Sequence, residues 1–175
     1  MALDGMDYEL IAALEGRAYN VLTPRFQLSG ADEKFCLYIR NDHQSYHLIT
    51  SRYLVSLGAS VSPDAAEIMA YEASGESPPT TFKLPVTSRL LGDTRTPAII
   101  AHGGNAGFSM SLGASAARSA LAIRTATGTV TDSNYTLPPG GSVAISLRPP
   151  AGNVDMWARL SVALILVERK TVITL

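Results

Sequence analysis

A chain of 175 residues that is 46% apolar, with 14 basic against 15 acidic residues and one cysteine, can fill one well-buried core and is short for two. This excludes a disordered tail and a disulfide scaffold. A net charge of −1 without long charge runs speaks against general nucleic-acid binding and against a polybasic membrane surface, both of which need concentrated positive charge.

The N-terminal Met1-Ala2-Leu3-Asp4 lacks the basic-then-apolar layout of a secretory signal. No run reaches the ~18 apolar residues of a membrane span. A reducing cytoplasm, without export, is the expected place of synthesis. Residues 1–20 predict a short helix, capped by Asp7, with Leu10, Ile11 and Leu14 on one face and Gly16 weakening its end. A helix so short is marginal alone and must pack on its own core or on a neighbouring chain. Residues 21–34, with Pro24 and Gly30, read as a connector.

From Phe35 onward, strand-like pieces recur between turn signals. Phe35, Leu37 and Ile39 alternate, and Cys36 among them reads as a small packing residue. The run 46–57 places Ile49, Tyr53, Val55 and Leu57 on one face and closes at Gly58. Residues 67–73 follow, then a loop at 74–79. Phe82, Leu84 and Val86 stand in register in a strand at 80–86. Ile99 and Ile100 mark 96–101. Phe108, Met110 and Leu112 alternate, as do Leu121, Ile123 and Thr125. The alanine-rich 115–124 admits a helical turn.

The clearest signal lies at 137–167. Leu137-Pro138-Pro139-Gly140-Gly141 is a turn cluster, and Val143, Ile145 and Leu147 alternate with Ser142, Ala144, Ser146 and Arg148. After a Pro-Gly stop, Ala158, Leu160, Val162, Leu164 and Leu166 form a core row. On the opposite row Arg159 and Ser161 give way to Ala163, Ile165 and Val167, so the far end of this strand is expected to be covered on both faces. Residues 171–175 suit a last edge strand. About eight to ten short strands at even spacing, with no βαβ rhythm, predict an all-β, antiparallel β-sandwich of jelly-roll-like kind with a short N-terminal helix or arm. The organisation expected is an arm and connector over 1–30 and a sandwich over 31–175.

Chemistry is harder to find. Gly113-Ala114-Ser115-Ala116-Ala117 loosely resembles a nucleophile elbow, and His102-Gly103-Gly104 an oxyanion-hole turn, but a hydrolase needs its histidine after the serine. His43 and His47, beside Asp42, lack the further ligands that zinc requires and read more simply as a polar hairpin tip. Asp64, Glu67, Glu72, Glu76, Asp93, Asp132 and Asp155 show no spacing that selects a glycosidase pair. Asn134-Tyr135-Thr136 matches a glycosylation sequon. Trp157, Tyr46, Tyr53 and Tyr71 are the aromatics a sugar platform would use. No catalytic residue, cofactor or metal ligand set is expected.

The strand Phe35-Cys36-Leu37-Tyr38-Ile39-Arg40 ending in Asn41-Asp42, the long strand after it, and the late Leu-Pro-Pro-Gly-Gly-Ser-Val-Ala-Ile-Ser-Leu at 137–147 resemble small β-sandwich virion proteins of tailed bacteriophages. These are the cement or decoration proteins of capsids and similar fibre modules. The resemblance covers 31–175 at the level of pattern. It implies a non-enzymatic jelly-roll-like sandwich, often trimeric, on the outer capsid surface of the virion, with the major capsid protein as partner. An arm carrying Leu3, Met6, Leu10, Ile11, Leu14, Tyr19 and Phe26 has apolar groups to bury on a neighbour, and Leu10, Ile11, Leu14, Tyr19 and Phe26 are the candidate interface. The other reading is that residues 7–15 cap their own sandwich. The rival functions are a fibre-type or carbohydrate-binding recognition module using loops 41–45, 74–79 and 102–107, and a small β-sandwich enzyme.

Overall fold

The computed structural model describes residues 5–29, 32–59, 66–76, 79–108, 110, 112, 117–123, 129–131, 135–149 and 155–169. The expected strand at 171–175, Leu3, Ser115 and Asn134 lie outside the described residues. Among the described residues, one helix, α1 (Gly5–Leu14), precedes thirteen strands. In chain order they are β1 (Ala18–Leu22), β2 (Phe26–Ser29), β3 (Lys34–Asn41), β4 (Tyr46–Ala59), β5 (Ala66–Glu72), β6 (Phe82–Lys83) and β7 (Val86–Ser88). Then come β8 (Ile99–Phe108), β9 (Ala117–Ile123), β10 (Thr129–Thr131), β11 (Tyr135–Leu137), β12 (Ser142–Arg148) and β13 (Asp155–Glu168). All pairings are antiparallel.

Two sheets make a sandwich. Sheet A runs β10-β4-β13-β1-β7, with β11 also on β4 and β2 also on β13; sheet B runs β6-β8-β3-β12-β5-β9. The inner faces share one apolar core, including Val55, Leu160, Val162 and Leu164 from sheet A and Leu37, Ile39, Val143 and Ile145 from sheet B. The predicted core row Ala158, Leu160, Val162, Leu164 and Leu166 is buried throughout. Ile165, on the opposite row, is covered by Ala12 of α1 and Ala18 of β1, with Val167 packed beside them. The far end of β13 is thus covered on both faces, by this chain's own helix.

The helix begins at Gly5, so Asp7 stands in its first turn and not at its cap. Gly16 does more than weaken the end. At φ +68, it lets Gly16 N–H donate to Ala13 O (3.0 Å) and Arg17 N–H to Ala12 O (2.7 Å), the Schellman stop that glycine permits. Pro138 O accepts Gly141 N–H at 2.8 Å across Pro139 and Gly140, the latter at φ +77, the pattern of a type II turn.

Three expectations are corrected. The stretch read as helix end and connector contains β1 and β2, both hydrogen-bonded to β13. Their few alternating residues around Pro24 are too short a pattern to stand out. The single strand at 80–86 is two strands in different sheets. Pro85 separates them, since it has no N–H for a ladder, and Phe82 is left exposed while Leu84 is buried. The alanine-rich piece is strand β9, paired along β5.

Bulges explain two misassigned faces. Ala163 faces Arg52 while Leu164 faces Thr50, so Ser51 is an extra residue in β4. Beyond it the parity flips: Leu48 and Thr50 are buried, and Ile49 turns away from the row of Tyr53, Val55 and Leu57. Likewise Ile145 faces Leu37 and Ser146 faces Phe35, leaving Cys36 as the extra residue of β3. Cys36 therefore joins Leu37 in the core, and Phe35 packs outside with Tyr71 and Phe108. The thiol donates to Ile145 O at 3.3 Å, and burial pushes its pKa up, as an inert packing residue requires.

Candidate functional site

Among the described residues, the groups that invited a catalytic reading do not converge. His102-Gly103-Gly104 lies within β8, so it forms no oxyanion turn. The described residues hold no group of three or more His, Cys, Asp or Glu placed for a metal. The aromatics are dispersed. Tyr53 is in the core and donates to Thr50 Oγ1 at 2.6 Å, Tyr71 is on the outer side of sheet B, and Trp157 is on the row of β13 opposite its core residues. No common platform unites them. Asp93 pairs with Arg95 at 2.8 Å, and the hydrogen bonds from Arg95 hold its carboxyl down at about 2.

His43 has a structural task. Its Nε2 accepts the Ala98 N–H at 3.2 Å, while Asp42 N–H donates to Ala98 O at 2.8 Å. The Tyr46 ring meets the imidazole edge-on at 5.5 Å, and Asp42 is paired with Arg40. Burial lowers the His43 pKa from 6.5. Protonation converts Nε2 from acceptor to donor, so the bond to Ala98 is lost. The unfolded chain takes the proton at the ordinary value, so this stability is complete above about 6.5 and disappears as pH falls through the lower folded value. Acidification across that window should lower stability and the protection factor of the Ala98 amide, and His43→Gln should remove the pH dependence of that protection factor.

A polar network covers part of the outer side of sheet B. The Glu33 carboxylate accepts Tyr71 Oη at 2.6 Å and the Ser146 hydroxyl. Arg148 bridges Glu33 and Glu67, at 3.2 Å to each. Burial, then the hydrogen bond to Glu33, pushes Tyr71 up to about 12. The two carboxylates are thus tied to one guanidinium. The outward row of β12 contains Ser146 and Arg148 in plain alternation, but Glu33 lay in the stretch read as connector.

At one end of the sandwich, a cleft of about 430 Å³ is lined by Glu72, Ser74, Tyr135, Thr136, Leu137, Pro138, Ser142 and Val143. Its volume suits a small ligand, and its mixture of a carboxylate, hydroxyls and apolar walls suits a polyhydroxylated one. The sequence shows the turn at 137–141, Glu72 among scattered carboxylates and the loop at 74–79, but not that they meet in one cleft.

The predicted interface residues separate into two groups. Tyr19 and Phe26 are buried in the core, and Tyr19 Oη donates to Gly16 O at 2.7 Å, so neither is part of a free arm. Helix α1 lies against sheet A through Ala12, with Ile11 and Ala13 half-buried. It is fastened by Glu9, which pairs with Arg52 of β4 (3.3 Å) and Arg89 after β7 (3.1 Å). Leu10 and Leu14, 60% and 66% exposed, point away. The buried side is the alanine side because small residues let the helix approach the sheet.

The fold defines the class: an antiparallel β-sandwich with an N-terminal helix on one sheet. No family model matches the chain, and no curated protein matches it. Among solved structures it is similar to a chain of infectious bursal disease virus, Gx strain, at 11% identity and TM-score 0.39, over 89% of this chain and 33% of that one. It is also similar to the VP2 subviral particle of that virus, at 12% identity and TM-score 0.27, over 87% of this chain and 42% of the other. The chain spans about a third to two fifths of the length of those it matches.

Proposed function

We infer that this protein is a non-enzymatic structural component of a virus particle, a decoration or cement protein of a phage capsid that acts through protein–protein contacts. The observation that carries the reading is α1, clamped to its own sheet by Ala12 and Glu9 while presenting Leu10 and Leu14 to solvent. A helix held rigid in this way has lost its ordering cost before any partner arrives. Burying one such leucine contributes ~1.5–3 kcal/mol, and repetition over a symmetric shell adds avidity. The partner is the major capsid protein, and a trimer would supply the linkage between copies.

The test is co-sedimentation with expanded capsids together with their heat inactivation. The protein should bind and raise the inactivation temperature. Leu10→Ser with Leu14→Ser should weaken binding at least tenfold, since ~1.4 kcal/mol is a factor of ten, and leave the denaturation midpoint unchanged. Wild-type protein that neither binds nor protects capsids would defeat the reading. The cleft at Glu72, Tyr135 and Pro138 favours a second reading, a fibre-type module that recognises a carbohydrate. Saturable glycan binding abolished by Glu72→Gln would support it over the first.

A further inference from the structure

We propose that the part of sheet A's outer face left uncovered by α1 docks an acidic protein surface with an apolar centre. Strand register sets out this face. Leu22 of β1 and Leu54 of β4 both pair with Ser161 of β13, from opposite sides, and so stand roughly 10 Å apart. They are 43% and 40% exposed. Arg159 and Trp157 continue the same outward row of β13. The Trp157 ring lies across Gly58 of β4, and the Arg25 guanidinium carbon sits 3.9 Å from the ring centroid.

Among the described side chains of this face the charged ones are arginines, with Glu9 at the border, in a chain whose total is −1; Asp155 stands two residues before Trp157 on the same row of β13. Arg52, at the border with α1, is paired with Glu9. Arg159 donates its Nε to the Thr23 carbonyl at 3.3 Å, and among the described residues neither Arg159 nor Arg25 has a carboxylate partner. Contact with the Trp157 ring restrains the Arg25 guanidinium, and a guanidinium edge can meet a carboxylate with two parallel N–H···O bonds. Two guanidinium groups with no carboxylate partner among the described residues, beside two exposed leucines, fit a protein surface with carboxylates around apolar side chains. A nucleic-acid backbone would need more cations and gain nothing from the leucines. The inference rests on the packing role proposed above and gives that partner its chemistry.

Trp157 is the chain's single tryptophan and reports on the site directly. Full-length protein is titrated with the peptide Glu-Glu-Leu-Leu-Glu-Glu, following Trp157 fluorescence at low and physiological salt. A saturable change is expected, weaker at the higher salt. Arg159→Ser should weaken it at least fivefold, as should Leu54→Ser, with unchanged denaturation midpoints. A lysine-for-glutamate peptide should give no change. The proposal is overturned by the absence of saturable binding, or by an affinity that the substitutions leave unaltered. It is also overturned by tighter binding of oligothymidylate than of the peptide, or by a dimer in sedimentation that Arg159→Ser dissociates, which would make the occupant a second copy. No capsid enters this titration, so its failure is distinct from a failure of capsid binding.

Discussion

Replacing Leu160 with alanine should lower the free energy of unfolding by about 2–5 kcal/mol, a large part of the ~5–15 kcal/mol typical of a domain. Leu160 is fully buried at the middle of β13, the strand flanked by β4 on one side and β1 and β2 on the other. Its backbone is fixed as firmly as its side chain. Leu160 N–H donates to Thr23 Oγ1 and Leu160 O accepts Thr23 N–H, both at 2.9 Å. The strand therefore cannot shift to fill the space, and the cavity term remains in full. Urea denaturation measures the loss. Leu54→Ala, on the outer face opposite Ser161, is the control and should change stability by less than about 0.5 kcal/mol. Equal effects at the two positions would mean that the inner and outer faces are assigned wrongly.

Asn41→Leu should cost about 2–4 kcal/mol although it adds apolar volume to a buried site. Asn41 is fully buried at the end of β3. Its Nδ2 donates to Tyr46 O at 2.9 Å and to Leu137 O at 3.0 Å, and its Oδ1 accepts His43 N–H at 3.1 Å. Its backbone joins the same junction. Asn41 N–H donates to Gly141 O at 3.0 Å, and Gly140 N–H donates to Asn41 O at 2.8 Å. One amide thus ties the β3–β4 turn to the β11–β12 turn. Leucine would leave the Tyr46 and Leu137 carbonyls and the His43 N–H without their partner, and each unsatisfied buried group costs about 1–3 kcal/mol, with partial relief by rearrangement. Asn41→Asp retains the acceptor but not the donors and should recover little. Denaturation midpoints of the two variants check this, with Asp42→Asn as a control that keeps the junction.

The contrast between these two residues shows where sequence is legible. Leu160 belongs to an alternating row, and alternation specifies which side of a strand is apolar. The sandwich class, β12, β13 and the turn at 137–141 follow from patterns of that kind. Asn41 gave a different impression, the polar end of a strand, because nothing local shows that its amide meets two carbonyls from elsewhere in the chain. Glu33 is the same case. It binds Tyr71, Ser146 and Arg148, all distant in sequence. The faces of β3 and β4 went astray for a single reason. One extra residue, Cys36 or Ser51, reverses the alternation beyond it, and a bulge is defined by the partner strand.

Helix α1 draws the same line at the surface. Leu10, Ile11 and Leu14 form the larger apolar row and read as a candidate interface, with packing on the chain's own sandwich as the other reading. The contact with Ile165 and Ala18 instead uses Ala12, and the two leucines remain outside. From its sequence this protein determined that it would be all-β, that β13 would present a buried row, and that the far end of that strand would be covered on both faces. Only the tertiary structure decided that the cover is the chain's own helix, that Tyr19 and Phe26 belong to the core, and that Arg25 and Arg159 flank Trp157 beside two exposed leucines. Alternation is a property of neighbouring residues, whereas burial, pairing and surface charge depend on which distant segments meet.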